Sequence, residues 1–486
     1  MNVSIKPFQA VFSRVRRVPG GTLRGGSLVF GGGSLVLTAL LGAGVAQAHS
    51  AAPAPAPVAP GYESLTSHGI TLYGIVDLGL QYESHGAPIS DYFPAGSADI
   101  VQKNSNGSIF GVTPNNLSQS RIGLTGKEPL VDDWSAVFRL ETFFNPQSGE
   151  ISDALKSLVQ NNGRALAVQT TNLDSSVAGQ LFQQSYVGFS SPTMGTLTFG
   201  RQNTLLADGI AKYDPQGASQ AFSLIGLSGT TAGGGDTEDR RLDSSLKYIE
   251  SFDGLHAGAM FKFNGSSGGA NTTLQFQLGA EVAGLSVDAY WMKVKDAIAV
   301  SALSAAQVTG LPALGFAPNN SLSGTISDNT TYNLSGLYNF GVVSIYGGYE
   351  HIDFANPATP LTAGFDDIGG YKLAYVNNAA FPNDKILQVY WAGVKYHVNV
   401  SLELTAAYYG YKQNAYGTGA NAGCETIQSG TCSGNLNAFS FSADYRISPR
   451  FDTYAGFLYT GVKNGLANGY LNTNNINPTA GVRYRF

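Results

Sequence analysis

The sequence predicts an all-β fold, a 16-stranded antiparallel transmembrane β-barrel, and three observations carry that reading. The 486 residues are 43% hydrophobic and 11% aromatic but only 13% charged, about half the charge of an ordinary soluble domain. Apolar residues recur with a period of two, the spacing of a strand with one polar and one apolar face. The strand-like runs reach about ten residues, the length a tilted strand needs to cross a bilayer. Other classes fit poorly. A mean hydropathy of -0.03 leaves no room for several apolar helical spans, and 25 Tyr with 26 Phe supply more buried-type surface than a disordered chain contains.

The N-terminal residues 1–48 carry Lys6, Arg14, Arg16, Arg17 and Arg24 and no acid, then the apolar run Leu35 to Leu41 and the small-residue site Ala46-Gln47-Ala48. That order reads as a secretory signal peptide cleaved after Ala48. Its loss removes five of 28 basic residues and none of the 33 acidic ones, so the mature chain is more acidic than the precursor, which argues against nucleic acid as a partner. Residues 49–68 follow as a linker. Alternating Ala and Pro from Ala52 to Pro60 favour an extended periplasmic spacer.

From residue 69 to 486 one pattern repeats. Ile70, Leu72, Gly74, Val76, Leu78 and Leu80 share one strand face, against Thr71, Tyr73, Asp77, Gln81 and Glu83 on the other. Trp134, Ala136, Phe138 and Leu140 oppose Ser135, Arg139 and Glu141; Leu274, Phe276 and Leu278 oppose Gln275 and Gln277; Phe439, Phe441 and Tyr445 oppose Ser440, Ser442 and Asp444. Strand starts are expected near residues 69, 118, 134, 181, 195, 240, 255, 272, 285, 330, 342, 385, 399, 437, 451 and 477. Short polar turns such as Glu128 to Asp133 and Ile447 to Arg450 alternate with long Gly/Asn/Ser-rich segments near 85–117, 145–180 and 412–436, the arrangement of outer-membrane barrels. Aromatic strings such as Tyr408-Tyr409-Gly410-Tyr411 and Phe457-Leu458-Tyr459 are expected at the bilayer interface.

Particular strings then fall in an ordered series: Ile70-Thr71-Leu72-Tyr73-Gly74-Ile75-Val76-Asp77, Ser120-Arg121-Ile122-Gly123-Leu124-Thr125-Gly126, Tyr186-Val187-Gly188-Phe189, Gly195 to Gln202, Ile447 to Tyr454 and the terminal Ala480 to Phe486. In these the chain resembles the trimeric general diffusion porins of Gram-negative outer membranes. The resemblance implies a homotrimer, an inward-folded third loop narrowing each barrel, and a water-filled channel for passive diffusion of small hydrophilic solutes and ions, selected by size and lumen charge. It also implies outer-membrane lipid and lipopolysaccharide as surroundings and no cofactor. The alternatives are a substrate-specific outer-membrane channel and a barrel-type hydrolase; no motif nominates a nucleophile and its base.

The wall bases matching the family pattern are Arg121, Arg201 and Arg241, and strand phase adds Arg139 and Glu141, since a cation facing lipid at mid-depth costs about 2–4 kcal/mol. The third loop, about Gln202 to Asp239, brings Asp208, Asp214 and Asp236 as constriction acids. Ser228 to Ala232 lacks the acids usual at the loop tip, and Gln183 stands where the family places an arginine, so weak charge discrimination is expected. Tyr484 and Phe486 resemble the terminal signal read by the assembly machinery. Cys424 and Cys432, in an exported loop with no third ligand near them, are expected as a disulfide. Gly265 to Gly269 matches G-x-S-x-G but lies between strands and reads as a turn. The six histidines show no metal-ligand spacing.

Overall fold

The alternation beginning at Ile70 becomes a closed wall of strands in the computed structural model of the chain. It describes residues 65–85, 108–149, 151, 181–225, 241–263, 272–301, 311–314, 321–357, 366–368, 371–377, 383–417, 431–467 and 472–486. The leader 1–48, most of the linker, the loop tip with Asp236, the G-x-S-x-G string and Cys424 lie outside the described residues.

Sixteen strands build the wall. They are β1 (Ile70–Glu83), β2 (Arg121–Pro129), β3 (Ser135–Phe143), β4 (Gln184–Ser191), β5 (Gly195–Asn203) and β6 (Arg241–Phe252). Next come β7 (Leu255–Lys262), β8 (Thr273–Val282), β9 (Leu285–Ser301), β10 (Ser321–Asn339) and β11 (Val343–Ala355). The last are β12 (Lys385–His397), β13 (Leu402–Gln413), β14 (Gly434–Arg446), β15 (Phe451–Asn464) and β16 (Thr479–Arg485). Each pairs antiparallel with the next, and β1 closes on β16 from Ile75↔Arg485 to Gln81↔Thr479. Closure satisfies every strand edge within the protein, which lipid cannot do. Thr66–Ser67, inside the segment expected as linker, already pairs with Ile70 and Thr71.

Burial is inverted relative to a soluble protein. Phe276 (47% exposed), Leu278 (68%) and Val282 (65%) face outward from β8, while Gln275 (2%) faces inward. Phe439, Phe441 and Tyr445 of β14 are likewise exposed, and Ser440 and Ser442 buried. An apolar belt of this extent is stable only against lipid. The short turns are tight: Asp253-Gly254 and Ala283-Gly284 join their strands through two residues with positive φ (49° and 80°, 49° and 83°), the primed geometry that matches strand twist. At the same rim Asp133 accepts from Ser191 Oγ (2.7 Å) and Thr193 Oγ1 (2.5 Å), and these bonds hold its carboxyl below the usual carboxylate range.

Two expectations need correcting. The tenth strand begins at Ser321, not near 330; residues 321–329 carry little apolar alternation, and a bulge between Val294 and Ala297 marks where the β9–β10 hairpin leaves the regular pattern. Tyr409 and Tyr411 are fully buried rather than interfacial, because successive side chains of a strand point to opposite faces; Phe457 and Tyr459 do stand exposed on the outer face.

The C-terminus is fastened at the seam. The Gly74 N–H donates to Phe486 O (2.9 Å) and the Phe486 N–H to Gly74 O (3.1 Å), and a Cβ on Gly74 would overlap the Phe486 ring. Gly74→Val is therefore expected to slow closure of the last strand, with the yield of heat-modifiable folded protein falling severalfold. Wild-type yield would show that Phe486 can leave its seat freely.

Candidate functional site

On the inner wall, register sets Gly123, Glu141 and Gln184 side by side, with Thr125, Arg139 and Tyr186 in the row nearer the short turns. Glu141 is fully buried and is the hub. Its Oε2 accepts from Tyr73 OH (2.8 Å) and Arg139 (3.1 Å), its Oε1 from Gln184 Nε2 (2.9 Å), and Arg121 lies at 3.8 Å. Arg139 Nε also donates to Tyr73 OH (2.7 Å), with its guanidinium 5.1 Å from that ring's centre. Phe143 lies between two cations, Arg241 at 4.4 Å and Arg121 at 6.0 Å. Aromatic faces attract cations, so the three guanidiniums are held against the Tyr73 and Phe143 rings while Arg121 and Arg139 keep about a third of their side chains exposed (29% and 31%).

The remaining expected bases and acids are placed differently. Arg201 shares the strand phase of exposed Phe199 and is out of phase with buried Thr198 and Gln202; it pairs with Asp243 (2.5 Å) and does not join the cluster. Asp208 is half exposed and binds Lys247 Nζ (2.5 Å). Asp214, expected as a constriction acid, is 1% exposed. Its carboxylate is occupied by Tyr409 OH (2.7 Å), the Gln216 N–H (3.1 Å) and the Ala218 N–H (2.7 Å), so it holds backbone rather than facing solute. Cys432 is buried and disulfide-bonded.

Asp214 belongs to a segment, 204–225, that lies along the inner face from β7 to β15. Helix α1 (Leu205–Tyr213) opens it, with Thr204 Oγ1 as N-cap accepting from the Ala207 N–H, which satisfies one of the first-turn donors. Leu205, Leu206, Ile210, Leu224 and Ile225 bury against inward Met260, Met292, Ile352, Leu387, Val389 and Trp391. Polar fastenings tie it to β9, β12, β13 and β14. Tyr213 OH bonds Asp288 and Ser286, Trp391 Nε1 donates to Tyr213 O (3.0 Å), Gln216 bonds Ser440 and Ser442, and Tyr411 OH donates to Leu224 O (3.1 Å). Inner-wall Gly393 seats Pro215, and a Cβ there would overlap that ring.

A further cluster at the seam was not anticipated from sequence. Asp77 accepts from Tyr454 OH and from the N–H groups of Leu117 (3.0 Å) and Ser118 (2.6 Å). Arg483 binds Asp452 (3.0 Å), Asp444 (2.9 Å) and Ser118 Oγ (2.6 Å). Its signal was available: Asp77 and Arg483 both sit on the polar phase of their strands. The described lumen therefore has two unlike sides, an apolar packed one on β7 to β15 and a polar one on β1 to β6 where Arg121 and Arg139 keep about a third of their side chains exposed (29% and 31%).

Comparisons with known proteins bear on this arrangement. A family model described as Gram-negative porin matches residues 33–465. An outer membrane porin protein of Bordetella pertussis is 27% identical over 285 residues, which are 58% of this chain and 63% of that relative; the chain thus matches less than two thirds of the relative's length. Among solved structures, the anion-selective porin from Comamonas acidovorans superposes with a TM-score of 0.57 at 19% identity, covering 86% of this chain and 99% of that one. OmpT of Vibrio cholerae in its trimer form gives 0.51 at 14% identity, covering 86% and 99%. At these identities both show a shared fold.

Proposed function

This chain belongs to the Gram-negative porin family, located in the bacterial outer membrane, and from that premise we propose that it is a water-filled channel for passive diffusion of small hydrophilic solutes and ions. The observation that carries the proposal is the pairing of a lipid-facing apolar exterior with inward Arg121 and Arg139 that keep about a third of their side chains exposed (29% and 31%). The segment 204–225 is the inward-folded third loop, and it sets the size limit by filling the β7–β15 side. Selection is by size and by the field of the wall. Two guanidiniums, those of Arg121 and Arg139, share the one carboxylate of Glu141, while Asp208 offsets Lys247 and Asp243 offsets Arg201, so a modest preference for anions follows.

The working unit is a homotrimer, a reading supported by the trimer form of the Vibrio cholerae structure of the same fold. Residues 1–48 serve as a cleaved leader and 49–68 as a linker, Cys424 pairs with Cys432, and Tyr484 and Phe486 present the assembly signal. Lipopolysaccharide surrounds the outer rim. The barrel carries no catalytic role in this reading.

The test is to insert purified protein into planar bilayers and record current steps, then repeat under a KCl gradient. Ohmic steps grouped in threes, with a reversal potential displaced toward chloride, are expected. Absence of conductance would sink the channel reading, and strong cation selectivity would sink the assignment of the arginine wall as the ion path.

A further inference from the structure

Below the arginine cluster, toward the short turns, the inner wall of β2 to β5 holds a recess of about 340 Å³, within the range of small-molecule clefts, which begins at about 300 Å³. Its origin lies in the register. Lys127, Val137, Gly188, Thr198 and Lys247 form one inner row, and Lys127, Val137 and Thr198 of that row line the recess. The row above contributes Thr125 and Tyr186, and the row below Ser190 and Thr196.

The polar groups of this recess differ in what they have left to offer. Ser190 Oγ and Thr196 Oγ1 bond each other (2.8 Å), and Thr125 Oγ1 donates to Phe138 O (3.1 Å); each of these hydroxyl oxygens keeps accepting capacity. Lys247 is neutralised by Asp208. Lys127 is exposed and makes no ion pair among the described residues, and Tyr186 is half-buried, directly across from Arg139 in the β3–β4 register. One uncompensated ammonium thus stands at the edge of a pocket lined by hydroxyls, with the Tyr186 ring as an apolar flank.

We propose that this recess is a solute subsite for small anionic polyols, molecules with one acidic group on a polyhydroxylated body. The acid docks on Lys127, the hydroxyl groups exchange hydrogen bonds with Ser190, Thr196 and Tyr186 OH, and the C–H face of the body lies on the Tyr186 ring and Val137. The subsite rests on the channel reading and makes the channel one that prefers such solutes over size-matched neutral ones.

Glucuronate, glucose and acetate serve as probes in planar bilayers, on wild type, Lys127→Gln and Tyr186→Phe. Glucuronate is expected to reduce the open-channel current in a concentration-dependent way, with glucose and acetate much weaker at the same concentration. K127Q raises the half-blocking concentration about tenfold, the loss of about one charge-assisted hydrogen bond, and Y186F raises it less. The arms separate two failures. No conductance in KCl alone overturns the channel reading itself. Normal conductance with equal glucuronate block in wild type and K127Q, with no block at all, or with glucose as effective as glucuronate overturns the subsite and leaves the channel intact.

Discussion

Glu141→Gln displaces the reversal potential further toward chloride, by roughly a fivefold change in the anion-to-cation ratio, since a unit charge about 4 Å from a passing ion is worth about 1 kcal/mol in water. The reason is stoichiometric: Glu141 is the one carboxylate in contact with Arg121 and Arg139 among the described residues. The substitution also turns one accepting oxygen into a donor. Tyr73 OH, Gln184 Nε2 and Arg139 all point donors at that group, so one of them loses its acceptor. Truncating a buried charge partner costs about 2–5 kcal/mol, and the solvent reaching both arginines puts this case near the lower end. The folded barrel is therefore expected to melt at lower temperature while still assembling. Arg139→Gln shifts the potential the opposite way. An unchanged potential in well-folded E141Q would mean that permeating ions do not sense this cluster.

Asp214→Ala produces the largest change in conductance, through a group that no solute touches. Removing the carboxylate strands the N–H groups of Gln216 and Ala218 and the Tyr409 hydroxyl, the first and last buried and the second part-buried. Each unsatisfied buried group costs about 1–3 kcal/mol, so the middle of the segment 204–225 detaches at a cost of several kcal/mol in its docking. Barrel closure does not depend on these bonds, because the strand ladder and the β1–β16 seam are made elsewhere. The expected phenotype is a folded barrel whose current steps are larger and noisier than wild type, with faster liposome swelling in large sugars. Tyr409→Phe, which removes one donor and leaves the carboxylate, gives a smaller effect in the same direction. Gly393→Val reaches the same end from the wall side by pushing on Pro215. Wild-type conductance in D214A would show that the segment is held by its apolar contacts with Met260, Ile352 and Trp391 alone.

The barrel itself was legible because its rule is local. A strand with lipid on one side and solvent or polar packing on the other must alternate, and that parity alone sets Asp77, Arg139 and Glu141 on the inner face and Phe276, Leu278 and Phe439 on the outer. Where alternation weakens, as in residues 321–329, the strand start expected from sequence falls late. The string Tyr408-Tyr409-Gly410-Tyr411 misled for the same reason, since composition marks a rim whereas parity sends Tyr409 and Tyr411 inward to Asp214 and Leu224.

What the sequence determined by itself is thus the closed amphipathic wall, its family strings and the inward phase of Arg121, Arg139 and Glu141. Only the tertiary structure decided which side chains meet across strands. Tyr73 and Gln184 reach Glu141 from β1 and β4, Phe143 is shared between Arg121 and Arg241, Asp214 is buried under Tyr409, and Lys127 is left without a counter-charge among the described residues. Phase along one strand follows from the geometry of a few consecutive residues, but a neighbour on another strand follows from register and from the path of a loop. Those depend on contacts between residues tens to hundreds of positions apart, which no local pattern encodes.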